Sequence, residues 1–273
     1  MSHSKIQLRY YQEEAVQAPF DYFRTHKGNP IVAMPTGTGK SVVIGETIRR
    51  VFTGYTGQRI LKVTHRKELI EQNYQKLLNL WPTAPAGIYS AGLGRKEIRP
   101  ITYAGIGSIA KKAAELGKIN LVFVDECHTI GPKDDTNYGN LFADLRAINP
   151  LMKIIGYTAT PFRLGQGRLT DASLDKEGNI KMPLFNHICY DLTNMEAFNR
   201  LVAEGYLARL VPRRTYSEID VSAVHIVGGE FDQSELQAAT DKDAVTKKAC
   251  DEICYFGADR RSWLIFATGI KHA

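Results

Sequence analysis

Short apolar runs recur through the first 160 residues. Each is followed by a stretch in which apolar residues return every three or four positions. Ile31–Met34, Ile60–Thr64, Ile101–Ala104, Leu121–Val124 and Ile154–Tyr157 read as strands. Ser41–Phe52, Lys67–Leu80, Ser108–Leu116 and Tyr138–Ile148, which lie between them, carry the helical period. Several of the strands are almost wholly apolar, as strands of a parallel sheet covered on both faces must be. This alternation predicts an α/β fold, a mostly parallel sheet flanked by helices.

After Phe162 the pattern loosens. Leu164–Gly178 is rich in Gly, Asp and Arg and predicts a loop or small insertion. Phe185–Leu192 predicts a further strand, and Met195–Glu204 a short helix stopped by Gly205. Leu210–Gly229 reads as extended and turn-rich, and Ser234–Phe256 as one long helix capped by Asp232 or Ser234. Trp263–Ala267 has the pattern of a buried strand.

Composition narrows the class. The chain has 273 residues, 44% hydrophobic and 23% charged, which is ordinary for a globular protein and excludes disorder and collagen. Met1–Gln12 lacks the apolar core of a signal peptide, and no apolar run approaches the ~20 residues that span a bilayer. A soluble, cytoplasmic protein without a membrane partner is expected. Cys127, Cys189, Cys250 and Cys254 are too scattered for a disulfide framework, and no second pair joins Cys250 and Cys254 at zinc-ligand spacing. They read as buried or incidental thiols of a reducing compartment. The net charge of +6 is uneven: residues 1–160 carry 21 Lys/Arg against 13 Asp/Glu, and residues 161–273 carry 14 against 16. The basic first part suits a polyanionic partner.

The chemistry concentrates at Ile31–Ser41, IVAMPTGTGKS, where an apolar strand enters a glycine-containing loop that opens a helix. Gly37 and Gly39 let successive backbone N–H groups converge on phosphate oxygens, and the helix N-terminus adds its positive dipole end. Lys40 can reach the β/γ-phosphates, and the Ser41 hydroxyl is placed to ligate magnesium. The strict phosphate-loop pattern asks for Gly where this chain has Met34. A second element, Leu121–His128, ends an apolar strand in Asp125, Glu126, Cys127 and His128. Carboxylates there emerge at the C-terminal sheet edge, where ligands of open α/β sheets bind. Asp125 would hold magnesium through its water shell, and Glu126 would orient and deprotonate the attacking water. A zinc site on these four residues is disfavoured, because neighbours along a strand point to opposite faces.

Together these motifs resemble a superfamily 2 helicase or translocase of the DEAD/DEAH-like group, and the resemblance covers almost the whole chain. Met34–Ser41 resembles motif I, with Pro35, Thr36, Gly37, Thr38, Gly39, Lys40 and Ser41 as nucleotide contacts, and DECH at 125–128 resembles motif II. Tyr157–Pro161 resembles motif III, which implies that Thr158 and Thr160, with His128, couple hydrolysis to strand movement. Leu8-Arg9-x-Tyr11-Gln12 resembles the adenine-contacting segment, Gln12 being the reader of the base and Arg9 its neighbour. Thr64, His65, Arg66 and Lys67 resemble motif Ia, and Thr102–Ser108 the next segment that grips the nucleic-acid backbone. Beside the resemblance, hydroxyl, imidazole and cationic groups following a strand suit phosphate contacts that position without reading sequence. Position 107 is Gly where related segments often carry Gln. AGLGRK at 91–96 and TATPFRLGQG at 158–167 are most similar to bacterial RadD-type DNA helicases.

The resemblance implies a RecA-like P-loop NTPase domain over 1–163, a loop or insertion over 164–184, a connecting region over 185–257, and over 258–273 the start of a second RecA-like domain. It implies ATP and magnesium as cofactors. It implies DNA as partner, single- or double-stranded, with RNA left open, and a C-terminal RecA-like domain missing from this chain. No match to the motif VI element Gln-x-x-Gly-Arg-x-x-Arg occurs in the sequence. ATP binding with poor hydrolysis is therefore expected of the chain alone. The expected setting is the nucleoid of a bacterial or phage-infected cell, with a role in DNA repair or recombination. Two alternatives stand beside it: the motor of a restriction–modification system or other dsDNA translocase, and a non-catalytic ATP-switched nucleic-acid-binding module.

Overall fold

The structure, a computed structural model, describes residues 7–131, 137–163, 167–174, 178–212, 214–216, 219–227 and 230–269. It divides into two compact units, Met1–Leu207 and Ala208–Ala273.

In the first unit the strands are β1 (Pro30–Ala33), β2 (Ile60–Thr64), β3 (Ala86–Ser90), β4 (Arg95–Lys96), β5 (Ile101–Gly105), β6 (Leu121–Asp125) and β7 (Lys153–Thr158). Four two-residue strands follow, β8 (Phe162–Arg163), β9 (Gly167–Arg168), β10 (Ser173–Leu174) and β11 (Ile180–Lys181), and then β12 (His187–Asp191). The helices are α1 (Tyr10–Thr25), α2 (Lys40–Gly54), α3 (Lys67–Leu80), α4 (Ile106–Ile109), α5 (Ala113–Leu116), α6 (Asn137–Ile148) and α7 (Met195–Ala203). Eight strands form one sheet in the order β12-β1-β7-β6-β2-β5-β3-β4. Every pairing in it is parallel except β3 with β4.

The apolar runs bury both faces, as their composition demands. On one face Val32, Ile60, Tyr103, Phe123 and Ile155 pack with Tyr11 and Ala15 of α1, Ile44 and Ile48 of α2, and Ile70 and Leu77 of α3. On the other, Leu61, Val63, Val122 and Val124 pack with Leu141, Phe142 and Leu145 of α6. Each such fully buried side chain contributes roughly 1.5–3 kcal/mol relative to exposure. Arg50 ties α2 to α1, bonding Glu13 at 2.6 Å and Glu46 at 2.8 Å. The start of α1 is thereby held against the C-terminal half of α2.

Several expectations need amending. β12 lies in the main sheet beside β1, so the first unit continues past residue 163 to Leu207. Asn29 locks the join: its N–H donates to Asn186 Oδ1 at 2.9 Å and its Nδ2 to the Leu184 carbonyl at 2.8 Å. β3 and α1 have no counterpart in the expected elements. Ser108–Leu116 forms two short turns of helix rather than one helix. Residues 164–166 and 175–177 of the predicted loop lie outside the described residues, and β8–β9 and β10–β11 form small hairpins around them.

In the second unit, β13 (Ile226–Val227) and β14 (Glu230–Phe231) form a hairpin ahead of α8 (Gln233–Thr240) and α9 (Asp243–Phe256). The single helix expected over Ser234–Phe256 is thus two. Asp232 caps α8, accepting from the Ser234 and Glu235 N–H groups at 3.0 Å each. Trp263–Ala267 forms no strand among the described residues, and Leu264 and Phe266 are exposed.

Candidate nucleotide site

β1, β6 and β7 lie side by side and end at one sheet edge, which brings the candidate chemistry together. β1 runs into Pro35–Gly39, and α2 begins at Lys40. Met34 is fully buried and donates its N–H to the Thr158 carbonyl at 2.9 Å. It therefore still behaves as a strand residue, and nothing at that position calls for glycine. Gly37 and Gly39 adopt φ of 87° and 86°, and Gly39 precedes the helix in the left-handed region that disfavours a side chain. A Cβ on Gly39 would also collide with Gln12 Nε2. The free N–H groups at the start of α2 thus face the space a phosphate would take.

Lys40 Nζ lies 2.6 Å from Glu126 Oε1, across the ends of β1 and β6. Glu126 has φ of 52°, the one positive value at a non-glycine position among the described residues. A β-carbon in that region costs energy and persists only where its surroundings impose it. Its N–H donates to Asp125 Oδ1 at 3.1 Å.

Asp125 is 4% exposed. Its Oδ2 accepts from Lys62 Nζ at 3.1 Å and from Asn73 Nδ2 at 3.0 Å. Burial pushes the Asp125 carboxyl up, but the Lys62 and Lys40 charges, with hydrogen bonds from Lys62 and Asn73, outweigh it and hold it below the ordinary carboxylate value. Lys62 is wholly buried, and desolvation lowers its ammonium against the pull of Asp125. Cys127 is buried too, and desolvation raises its thiol above the usual value, which keeps it protonated and unreactive.

Gln12 braces the loop. Its Oε1 accepts from the Arg9 N–H at 3.0 Å, and its Nε2 donates to the Thr38 carbonyl at 2.9 Å. Arg9 is exposed, its guanidinium 4.7 Å from the Tyr206 ring. Thr38 is buried, its hydroxyl donating to the Pro35 carbonyl at 2.6 Å, whereas Thr36 is exposed. Ser41 Oγ accepts from Lys76 Nζ at 3.4 Å.

His128 Nδ1 lies 2.8 Å from Thr158 Oγ1 and 3.5 Å from Glu126 Oε2. The Thr160 N–H donates to the same Thr158 hydroxyl at 3.0 Å. The DECH segment is therefore in contact with the end of β7. Arg163 clasps the segment from outside: its Nε donates to the His128 carbonyl at 3.2 Å and its Nη2 to the Ile130 carbonyl.

The residues expected to grip nucleic acid divide. His65, Arg66 and Lys67 are exposed just beyond β2. Thr64 is fully buried, and its Oγ1 has no partner among the described residues. Thr102 is also buried, and sits near the start of β5 rather than its end. Its hydroxyl accepts from the Arg99 N–H at 3.1 Å and donates to the Arg99 carbonyl at 2.8 Å. Neither threonine can meet a nucleic-acid strand on the surface, contrary to the expectation from residue type. Ser108 is half-buried and accepts from the Ala91 N–H at 2.9 Å.

Lys62, Asn73, Lys76 and Arg163 enter the site without having been singled out in the sequence. Lys62 alone left a signal: a cation in the middle of an otherwise apolar strand, ILKVT.

The set fits magnesium and a nucleotide triphosphate. Ser41 Oγ and Asp125 supply hard oxygen ligands, as magnesium prefers, beside a helix N-terminus and a lysine. No cluster of three His, Cys, Asp or Glu suited to another metal occurs among the described residues. No helix there is long and apolar enough to cross a membrane.

Sheet order and site define the RecA-like class of helicase motor domain. The family described as "Type III restriction enzyme, res subunit" matches residues 5–163, more than half of the chain. The chain belongs to that family, and with it to the superfamily 2 helicase-like motors. A "51.5 kDa protein" of Lactococcus phage (isolate 7-9) is 26% identical over 215 residues, covering 78% of this chain and 38% of the relative. The chain thus spans well under half of that relative. Among solved structures, the ATP-dependent Type ISP restriction-modification enzyme LlaBIII bound to DNA superposes with a TM-score of 0.51 at 14% identity, over 73% of this chain and 16% of that one. The UvsW helicase from bacteriophage T4 gives 0.46 at 20% identity, over 57% of this chain and 54% of that one. The LlaBIII likeness bears on fold alone.

Proposed function

We propose that the first unit is the nucleotide-hydrolysing part of an ATP-dependent DNA helicase or translocase. The observation that carries this reading is the approach of Lys40 at 2.6 Å to Glu126, itself held at a positive φ, beside an Asp125 paired with Lys62. A phosphate drawn onto the α2 N-terminus would take Lys40 from Glu126. The freed carboxylate would then accept a proton from an attacking water. Ser41 and Asp125 are the residues that would hold magnesium, which when bound would neutralise charge on the β/γ-phosphates. Gln12 and Arg9 would lie on the base side of the loop. His65, Arg66 and Lys67 would take DNA phosphates, and the His128–Thr158–Thr160 contact would transmit the state of the site. Full turnover would require a second RecA-like domain bearing the arginine element this sequence lacks. The reaction belongs in the cytoplasm of a bacterial or phage-infected cell, and the RadD-like segments point to DNA repair.

Lys40→Ala should abolish binding of a fluorescent ATP analogue. Glu126→Gln should keep binding while DNA-stimulated hydrolysis in the full-length protein falls about 10²–10⁴-fold. Unchanged analogue binding by Lys40→Ala would sink the proposal.

Membership of the restriction-subunit family favours a second reading, a duplex translocase that hydrolyses ATP without unwinding. A strand-displacement assay separates the two: released strand supports the helicase, and duplex-stimulated ATPase without release supports the translocase.

A further inference from the structure

The site holds two lysines for two carboxylates. Lys40 serves Glu126, and Lys62 serves Asp125. Lys40 stands at the first position of α2 and can leave for a phosphate. Lys62 cannot leave: it is 0% exposed, in the middle of β2, with Tyr103 and Phe123 as its cross-strand neighbours. Strand alternation puts it on the same face as Ile60, which packs in the core with α3. Its ammonium lies 5.9 Å from the Tyr103 ring centre and 3.1 Å from Asp125 Oδ2. An apolar residue would be the cheaper occupant of that position, since a buried pair seldom outperforms well-packed hydrophobic side chains. The pair is therefore better explained by what it does to Asp125 than by folding alone.

Resting on the nucleotide-site reading above, we propose that Lys62 is a positioning residue: a resident counter-ion that keeps Asp125 from taking a divalent cation until nucleotide arrives. Lys62 and Asn73 occupy Oδ2, and the Glu126 N–H turns Oδ1 toward the end of β6. The carboxylate is thus oriented for a metal and at the same time neutralised. A fixed positive charge beside it opposes a free cation. The phosphates of a bound nucleotide supply the negative charge that overcomes this opposition. Metal then enters together with nucleotide rather than ahead of it.

The test is Mn2+ binding followed by electron paramagnetic resonance, which needs no turnover. Wild-type chain without nucleotide should bind Mn2+ at least tenfold more weakly than with ADP. Lys62→Met should bind free Mn2+ about tenfold or more tightly than wild type, from removal of one nearby unit charge. Lys62→Met/Asp125→Asn should lose that gain. Free Mn2+ binding by the wild type as tight as with ADP overturns the inference, even if Lys62→Met fails to fold. Unchanged Mn2+ affinity in a folded Lys62→Met overturns it as well. If the wild type binds no fluorescent ATP analogue, the nucleotide reading falls and this inference falls with it. If analogue binding is sound and free Mn2+ still binds tightly, the inference fails alone.

Discussion

Lys40–Glu126 and Lys62–Asp125 are chemically the same pair in two settings 2.6 Å and 3.1 Å long. One spans a helix start and a strand end, with side chains 13% and 27% exposed; the other joins two adjoining strands at 0% and 5%. The first can exchange its partner for solvent or substrate at small cost. The second cannot be broken without stranding a charge in the core. Burial thus sorts two equivalent contacts into one that moves and one that fixes.

The largest effect should come from breaking the fixed pair. Lys62→Met is expected to destabilise the fold by about 3–5 kcal/mol, because Asp125 keeps its charge, whereas Lys62→Met/Asp125→Asn should recover most of that loss. Lys40→Met should cost under ~1 kcal/mol. Urea denaturation of the three variants would decide it, and equal losses for Lys40→Met and Lys62→Met would erase the distinction.

Acid should expose the same contrast. The Asp125 carboxyl is lowered in the folded state despite burial, chiefly through Lys62 and Lys40, so its contribution is present above the ordinary carboxylate value and is lost as pH falls through the folded one. The midpoint urea concentration of the wild type should therefore drop more steeply below pH ~4 than that of the double variant. Parallel curves would mean that Asp125 carries no linkage.

A smaller effect is expected at the bend between the two pairs. Glu126→Gly should be about 1–2 kcal/mol more stable than Glu126→Ala, since glycine alone adopts φ of 52° freely. The smallest lies at the end of β2. Thr64→Val should stabilise the fold by up to about 1 kcal/mol and leave DNA affinity unchanged, because its buried hydroxyl bonds nothing described. Arg66→Ala, by contrast, should weaken DNA binding and flatten its salt dependence.

Local signals carried the elements that are periodic and the motifs that are contiguous. α3 matches its expected span at both ends, Lys67 and Leu80, because its apolar stripe and flanking strand leave no ambiguity. β3 escaped because Ala86–Ser90 sits between Pro85 and a glycine-rich turn, and its burial comes from pairing with β5. Trp263–Ala267 has strand composition, yet a strand is made by a neighbour, and no neighbour is present among the described residues. In the site, the phosphate loop and DECH were legible because each is a run of adjacent residues. Lys62 and Asn73 were not, because their meaning depends on Asp125, which lies 63 and 52 positions away along the chain. Thr64 and Thr102 misled for the converse reason: residue type suggested contact, and only the fold shows that both are inside.

The place of β12 has a practical consequence for anyone cutting this gene. Ending a recombinant product at residue 163, where the family match stops, would remove the strand that pairs with β1 from Pro30 to Ala33. The phosphate-loop strand would then become a bare edge of four apolar residues, able to recruit the same strand from another molecule. Such a fragment should come out of cells as inclusion bodies, while one ending after Leu207 should stay in the supernatant.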